Sequence, residues 1–290
     1  MKYAVITSNS YFSYLILSRL LDEYRHSISV MIEARGMIED KSPPAMFLHV
    51  LRRLGLRGFC YKTGTAAYGR LLDKVADILP GIQRAFGPLT HARHLGIEVI
   101  TFKDANSEPC LELLRTVHPD VIFAVNVYQK LRAPLLKLPR VGIINIHFGM
   151  LPWYRGMSPY MWAMAHGETE IGITAYFMDE QFDTGDIVIQ ESVPILSHDS
   201  VYALYVRGCL KAGHILTHIA AAARNSAIPC KPQSPDQGSY FSMAGSACIA
   251  EIRRRGHVLV RAQDLLRTAY FGVFAQSPEY SAECESHVPS

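Results

Sequence analysis

Short apolar runs alternate with helical patterns at the start of the chain. The run Tyr3–Thr7 is followed by a helical pattern over Tyr11–Tyr24 and by a second apolar run over 28–32. Runs that are apolar at nearly every position are typical of strands buried on both faces of a parallel sheet. The alternation therefore predicts an α/β fold built on a Rossmann-like, mainly parallel, twisted sheet.

The alternation breaks off over about 34–95 and then resumes. The interrupted region has a Pro-Pro stop near its start and two helical patterns, over 46–57 and 66–85, so it predicts an excursion of helices from the sheet. Beyond it, the pattern predicts strands over 97–102, 121–127 and 141–146, with helices over 107–117 and 131–138 between them.

After residue 150 the pattern changes. Two runs, 171–178 and 186–193, flank a turn-rich loop and predict an antiparallel pair of strands. Asp199 or Ser200 can cap a long helix that reaches about residue 224. We therefore expect a catalytic domain over 1–225 and a small C-terminal appendage over 226–290. The appendage should contain a Tyr240-Phe241 strand, a helix over 247–255 and a last helix near residue 265.

Composition limits the functional classes. The formal net charge of +3 over 290 residues is too small to indicate nucleic-acid binding, and it fits an anionic small ligand slightly better than a cationic one. None of the six cysteines lies in a C-x-x-C pair, which is typical of reduced thiols. The chain begins on an apolar strand without a signal sequence, and no apolar run approaches about 18 residues. We therefore expect a soluble, cytoplasmic protein without a membrane span.

Chemistry-bearing residues cluster between 145 and 186. Asn145 and His147 lie two positions apart at the carboxyl end of a predicted parallel strand, so their side chains share one face. Ligands bind at that edge of open α/β sheets. An amide donor and an imidazole directed at one point suit a developing oxyanion and a proton in transit. Asp183, in a loop that contains Gly185, supplies a carboxylate that could orient the imidazole.

These residues resemble a known family. Asn145, His147 and the following Leu151-Pro152 are similar to the Asn-x-His-x-Ser-Leu-Leu-Pro motif of the folate-dependent formyltransferases, such as those acting on methionyl-tRNA and glycinamide ribonucleotide. The family's later Asp-Thr-Gly-Asp loop corresponds to 183–186, and the Arg155-Gly156 pair also matches. The resemblance is good over roughly 95–225 and extends to the first 35 residues in pattern only.

The resemblance implies a reaction and its residues. A formyl group would pass from 10-formyltetrahydrofolate to an amine or hydroxylamine of a small biosynthetic substrate such as an amino sugar. Asn145 would donate to the formyl oxygen, His147 would stabilise the tetrahedral intermediate, and Asp183 would hold the imidazole and relay protons. The donor would bind at Val125, Tyr128, Leu131, Asp179, Gln181, Phe182 and Asp186, and the acceptor at Gly149, Met150, Tyr154 and Arg155. No metal is implied.

The chain also departs from the family pattern. Phe148-Gly149 replaces the family's Pro-Ser, and Met150 replaces its first Leu, which makes borrowed acceptor specificity uncertain. The segment after 225 is shorter than the C-terminal barrel of the methionyl-tRNA enzyme, so a tRNA acceptor is not expected. The absence of a domain before the sheet argues against a 10-formyltetrahydrofolate hydrolase. That hydrolase and a catalytically idle, ligand-binding relative are the alternatives, and a homodimer is left open.

Two further features have competing interpretations. The stretch 46–74 carries six basic residues against one acid, Asp73. It suits either a solvated helical face or a surface for a nucleotide-linked, phosphorylated or lipid-associated acceptor. His214 and His218 lie at i and i+4 on the long predicted helix, but no carboxylate at metal-ligand spacing accompanies them. A packed or surface pair is the favoured interpretation, and the same holds for His91 and His94.

Overall fold

The computed structural model describes residues 1–35, 43–78, 86–224, 228–234 and 237–274. Its strands are β1 (Tyr3–Thr7), β2 (Ile28–Ala34), β3 (Val99–Phe102), β4 (Val121–Val125), β5 (Gly142–His147), β6 (Arg155–Gly156), β7 (Glu170–Phe177), β8 (Ile187–Pro194) and β9 (Tyr240–Phe241). Its helices are α1 (Tyr11–Tyr24), α2 (Pro43–Ile78), α3 (Pro88–His94), α4 (Glu108–Val117), α5 (Ala133–Leu136), α6 (Pro159–His166), α7 (Val201–Ala223), α8 (Ser246–Arg254) and α9 (Ala262–Phe274).

A seven-stranded sheet in the order β3-β2-β1-β4-β5-β7-β8 forms the centre of the fold. The pairs from β3 to β5 are parallel, whereas β5–β7 and β7–β8 are antiparallel. The predicted α/β class is therefore confirmed, as is the antiparallel pair after residue 150. Because β5 runs parallel to β4, Asn145 and His147 at the end of β5 lie at the carboxyl edge of the parallel part of the sheet.

The sheet is covered on both faces, as strand β1 illustrates. Tyr3 and Val5 of β1 face one apolar cluster, which includes α1 and α7, while Ala4 and Ile6 face a second cluster, which includes α4. Side chains alternate between the two faces of a strand, and here both faces are buried. An apolar residue at every position is the consequence, which is the pattern the sequence shows.

The helical excursion differs in detail from the prediction. Two separate helices were expected over 46–57 and 66–85, but α2 runs from Pro43 to Ile78 with one break at Gly55, where φ is 67° and ψ is 174°. The predicted gap at 58–65 is helical, and within it Gly58 packs closely on Ile249 of α8. Tertiary packing thus overrides the low helix propensity of glycine. Residues 79–85 lie outside the described residues.

Most other boundaries shift by one or two residues, and three short elements were not predicted. The predicted strand 121–127 ends at Val125, because Asn126 adopts a left-handed φ of 51°. The predicted helix 131–138 shortens to α5. Ser200 is the cap of α7, and its hydroxyl accepts from the Ala203 amide. The unpredicted elements are α3, β6 and α6.

The segment after residue 225 packs on the body of the protein. Strand β9 pairs with β6, Lys231 bridges to Ile187 of β8, and α8 lies against α6. Helix α9 is tied to the start of α7, where Asp264 accepts a 2.6 Å hydrogen bond from the Ser200 hydroxyl. The division into domains at residue 225 remains a prediction.

Among the described residues, no helix is both long enough and apolar enough to cross a membrane. The five cysteines in this part of the chain are free thiols. Of the histidines singled out in the sequence, His91 contacts Asp22 at 2.8 Å and His214 contacts Arg19 at 2.9 Å.

Candidate active site

Two neighbouring strands present the polar residues of the site. Asn145 and His147 lie at the end of β5, and the antiparallel register places Tyr176 and Thr174 of β7 opposite them. Directly opposed residues of an antiparallel pair lie on the same face of the sheet. The strands therefore assemble a four-residue polar patch that the spacing of Asn145 and His147 alone does not reveal.

A chain of hydrogen bonds joins Asn145 to Asp183. The Asn145 amide nitrogen donates to the Tyr176 hydroxyl at 2.9 Å, and that hydroxyl donates to Asp183 Oδ1 at 2.7 Å. Burial, followed by the Asp183 charge, raises the pKa of Tyr176 well above its ordinary value. Tyr176 therefore keeps its proton and acts as a fixed donor to the carboxylate.

Asp183 is held by its backbone as well as by its side chain. Its φ of 58° is in the left-handed region, which aspartate tolerates better than most residues. Its Oδ2 accepts from the Gly156 amide at 2.7 Å, and its carbonyl accepts from Arg155 and Gln233 at 3.1 and 3.2 Å. Both carboxylate oxygens are thus satisfied, and the group is 9% exposed.

His147 is buried between this carboxylate and a backbone carbonyl. Its Nε2 lies 2.7 Å from the carbonyl oxygen of Tyr154, and its Nδ1 lies 3.6 Å from Asp183 Oδ1. Because a carbonyl can only accept, Nε2 must carry a hydrogen. Nδ1 is therefore the nitrogen that can exchange a proton near Asp183, at a distance longer than a direct hydrogen bond.

Gly149 explains how that carbonyl comes so close. A Cβ added at Gly149 would lie 2.8 Å from the Tyr154 oxygen, 2.9 Å from His147 Nε2 and 3.0 Å from the Cβ of Pro159. Real Cβ atoms essentially never approach other atoms within 3.0 Å. The serine that the family motif carries at this position therefore does not fit this arrangement, so the glycine and the His147–Tyr154 hydrogen bond belong together.

The structure separates the remaining predicted residues into two groups. Tyr128 and Phe182 expose 45% and 43% of their surface, and Lys130 lies 5.7 Å from the centre of the Phe182 ring. Gln181 and Asp186 are exposed too, and Met150 is partly so. Three others make contacts inside the protein. Leu131 is buried, and the Val125 carbonyl accepts a hydrogen bond from the Thr7 hydroxyl. The Asp179 carboxylate accepts hydrogen bonds from the Gln181 amide and the Thr184 hydroxyl within its own loop.

The sequence comparison bears on this region. Residues 86–219 match the model of the formyl transferase family, and the matched part contains α3, the strands β3–β8, the polar patch and Asp183. Residues 86–219 belong to the formyl transferase family. A methionyl-tRNA formyltransferase from Halothermothrix orenii is 35% identical over 149 residues, which are 51% of this chain and 47% of that relative. The chain thus spans about half the length of the curated relatives it matches.

Solved formyltransferases share the fold. WlaRD, a sugar 3N-formyl transferase, aligns with a TM-score of 0.54 at 20% identity, over 83% of this chain and 69% of its own. Glycinamide ribonucleotide transformylase 1 from Symbiobacterium toebii aligns with a TM-score of 0.53 at 20% identity, over 81% of this chain and 94% of its own. At this identity the likeness establishes the fold of the formyl transferase domain.

Sequence reasoning missed two residues that shape the site of the formyl transferase domain. Tyr176 could have been found, because Thr174 and Tyr176 alternate along one face of a predicted strand beside the loop with Asp183. Gln233 carried no such signal. It lies 50 residues after Asp183, where its amide bonds the Gly185 carbonyl at 2.7 Å and Arg155 at 2.8 Å.

Proposed function

We propose that this protein transfers a formyl group from 10-formyltetrahydrofolate to the amine of an amino sugar. One observation carries the proposal: hydrogen bonds through Tyr176 join Asn145 to Asp183 beside the end of β5, and His147 Nδ1 lies 3.6 Å from Asp183 Oδ1, all within the formyl transferase domain. The three groups supply an oxyanion donor, a proton acceptor and a counter-charge, which are what attack of an amine on a formyl carbon requires.

The side chains divide these tasks by their hydrogen bonds. The Asn145 amide has two hydrogens, and only one is donated to Tyr176, so the other is available to a developing oxyanion. His147 Nδ1 would take the proton that the attacking amine loses and give it to the folate nitrogen whose bond to the formyl carbon breaks. Asp183, 3.6 Å away, balances the charge of the imidazolium that results. Because both Asp183 oxygens already have donors, the carboxylate keeps its place while the proton moves.

The folate donor supplies the formyl group. Exposed aromatic surface at Tyr128 and Phe182 fits a flat heterocycle at the mouth of the site. The loop after β7 is fixed by Asp179, whose Oδ1 accepts from the Gln181 amide at 2.9 Å. That loop can therefore offer backbone groups in one geometry. We infer that Tyr128, Gln181 and Phe182 contact the donor, whereas Asp179 shapes the loop.

The acceptor side is formed where the segment after residue 225 meets β6. Trp153, just before β6, is 51% exposed, and Tyr240, in the paired strand β9, is 62% exposed. Exposed aromatic faces are stacking platforms for nucleobases and sugar rings. WlaRD is described as a sugar 3N-formyl transferase in the presence of dTDP. A nucleotide-linked amino sugar is therefore the acceptor we propose, with Trp153 and Tyr240 at its nucleotide end.

The test begins with the donor and then turns to the acceptor. Isothermal titration with 5-formyltetrahydrofolate, a stable donor analogue, should show saturable binding that survives in Asn145→Ala. A panel of free and nucleotide-linked amino sugars, incubated with 10-formyltetrahydrofolate, should then yield one formamido product by mass spectrometry. Trp153→Ala should raise KM for the nucleotide-linked acceptor and leave the donor affinity unchanged.

Three results would contradict the proposal. Absence of folate binding at millimolar ligand would favour an idle relative or another acyl donor. Formate release without any amine product would favour the hydrolase. Formylation of methionyl-tRNA, with no amino sugar accepted, would replace the acceptor class.

A further inference from the structure

A groove outside the active site lies between the break in α2 and the start of α8. It has a volume of about 270 Å³ and is lined by Leu54, Gly55, Leu56, Arg57, Ser246, Ile249, Ala250 and Arg253. The two helices touch closely at Gly58, where an added Cβ would lie 2.5 Å from Ile249. The groove is thus fixed by packing between an excursion from the sheet and the C-terminal segment.

The arginines at this groove lack counter-charges in the part of the chain that the structure describes. Among the described residues, Arg57 and Arg253 form no ion pair or side-chain hydrogen bond, nor do the preceding Arg52 and Arg53. The nearest acid on α8, Glu251, is already bonded to Arg254 at 2.7 Å and to Arg255 at 3.2 Å. Most other arginines of the described body have partners, such as Arg19, Arg140 and Arg207.

The charge of Arg53 reaches a neighbouring lysine on α2. Burial, followed by the charge of Arg53, lowers the pKa of Lys62. Within the described ranges, no acidic side chain lines the groove. A region with several unpaired cations and no acid attracts anions, and the attraction is strongest at low ionic strength.

Apolar surface accompanies the charge. Leu56 is 69% exposed beside Arg57, and Leu48 is exposed on the preceding part of α2. A leucine that exposed gains nothing from a nucleic-acid backbone or from free phosphate, whereas a lipid surface buries it while its headgroups meet the arginines. Interfacial helices combine apolar side chains and Lys or Arg in this way.

We propose that the groove-bearing surface, formed by Leu56, Arg57 and Arg253, docks on a membrane surface rich in anionic lipid. Docking is peripheral, with the arginines at the headgroups and Leu56 at the acyl boundary. The proposal stands apart from the proposed catalytic function, because none of these residues belongs to the Asn145–His147–Asp183 cluster.

Vesicle co-sedimentation tests the proposal. The full chain should bind vesicles of phosphatidylcholine with 30 mol% phosphatidylglycerol far better than pure phosphatidylcholine vesicles, and high salt should release it. A basic residue near an anionic surface is worth about fivefold in affinity, so Arg57→Gln/Arg253→Gln should lose about 25-fold. Leu56→Gln should lose binding severalfold without changing the net charge.

The control removes the same charge elsewhere. Arg93→Gln/Lys137→Gln alters two exposed cations on α3 and after α5, and it should bind anionic vesicles within twofold of wild type. Equal loss in the two double variants would show only a general charge effect and would overturn the proposal. So would binding to heparin or RNA without vesicle binding, which would assign the arginines to a polyanion. Circular dichroism of each variant separates these outcomes from misfolding.

Discussion

Replacing Gly149 by alanine adds one methyl group between the two partners of the His147 hydrogen bond. The new Cβ would lie 2.8 Å from the Tyr154 oxygen, and ordinary contact begins at 3.4 Å, so the carbonyl must retreat by about 0.6 Å. Gly149 has no left-handed φ, so alanine itself fits its backbone and the effect isolates the contact. Retreat lengthens the hydrogen bond that now holds Nε2 at 2.7 Å to about 3.3 Å and so weakens it.

A weaker hydrogen bond from His147 Nε2 should slow turnover. A hydrogen bond to a group that becomes charged is worth about 1.5–3 kcal/mol. If it is lost when the imidazolium forms, turnover should fall roughly 10- to 150-fold. The KM for the folate donor should change less than threefold, because the donor contacts other residues. Long-range ¹H–¹⁵N spectra of His147 should show the Nε2–H tautomer in wild type and a mixture in the variant.

Gly64→Ala is the matched control, because a Cβ there meets nothing within 4 Å. It should retain wild-type turnover and gain slightly in stability, as alanine is the better helix former. Wild-type turnover in Gly149→Ala, with an unchanged tautomer, would refute the idea that the Tyr154 carbonyl positions His147.

Further predictions concern the same cluster and its surroundings. Tyr176→Phe should lower kcat about tenfold with little change in KM, because Asn145 and Asp183 lose their common partner while the ring keeps its packing; stopped-assay kinetics on the folded variant measure it. Removing the amide in Asn145→Ala should cost about 10²–10³ in turnover. Truncation after residue 225 removes Gln233 and β9, so acceptor turnover should disappear while folate binding remains measurable; a fully active truncated protein would assign acceptor recognition to 46–74. Finally, burial raises the pKa of Tyr160, Tyr176 and other tyrosines above about 10 in the folded state. The unfolded chain therefore releases these protons first, and stability should fall as pH rises above about 10, with tyrosinate absorbance appearing together with unfolding.

The sequence was sufficient to predict the sheet, because a strand that is buried on both faces has apolar residues at nearly every position. Strand Tyr3–Thr7 is an example, with apolar side chains on both faces. Asn145, His147 and Asp183 were predicted as site residues because their spacing matches a known motif, and the structure brings them close together. The features that the sequence did not predict depend on contacts between residues far apart in the chain. The helical conformation of 58–65 rests on packing against α8, and Gln233 reaches the Asp183 loop from a segment with no motif.

Gly149 lies between these two cases. The sequence identified Gly149 as a departure from the family motif. Its structural effect depends on the fold, because the atoms that a side chain there would meet belong to Tyr154 and His147. A change in acceptor specificity was the consequence that the sequence suggested. The structure instead shows that Gly149 leaves room for the Tyr154 carbonyl to contact His147 Nε2, and this contact cannot be predicted from one sequence alone.

Transfer of a ¹³C-labelled formyl group tests the central claim most directly. Wild-type protein, 10-[¹³C]formyltetrahydrofolate and a nucleotide-linked amino sugar should give a ¹³C-formamido product by mass spectrometry. His147→Ala should bind the donor with unchanged affinity and form that product about 10²–10⁴-fold more slowly. Equal product from wild type and His147→Ala, or label recovered only as formate, would contradict the account.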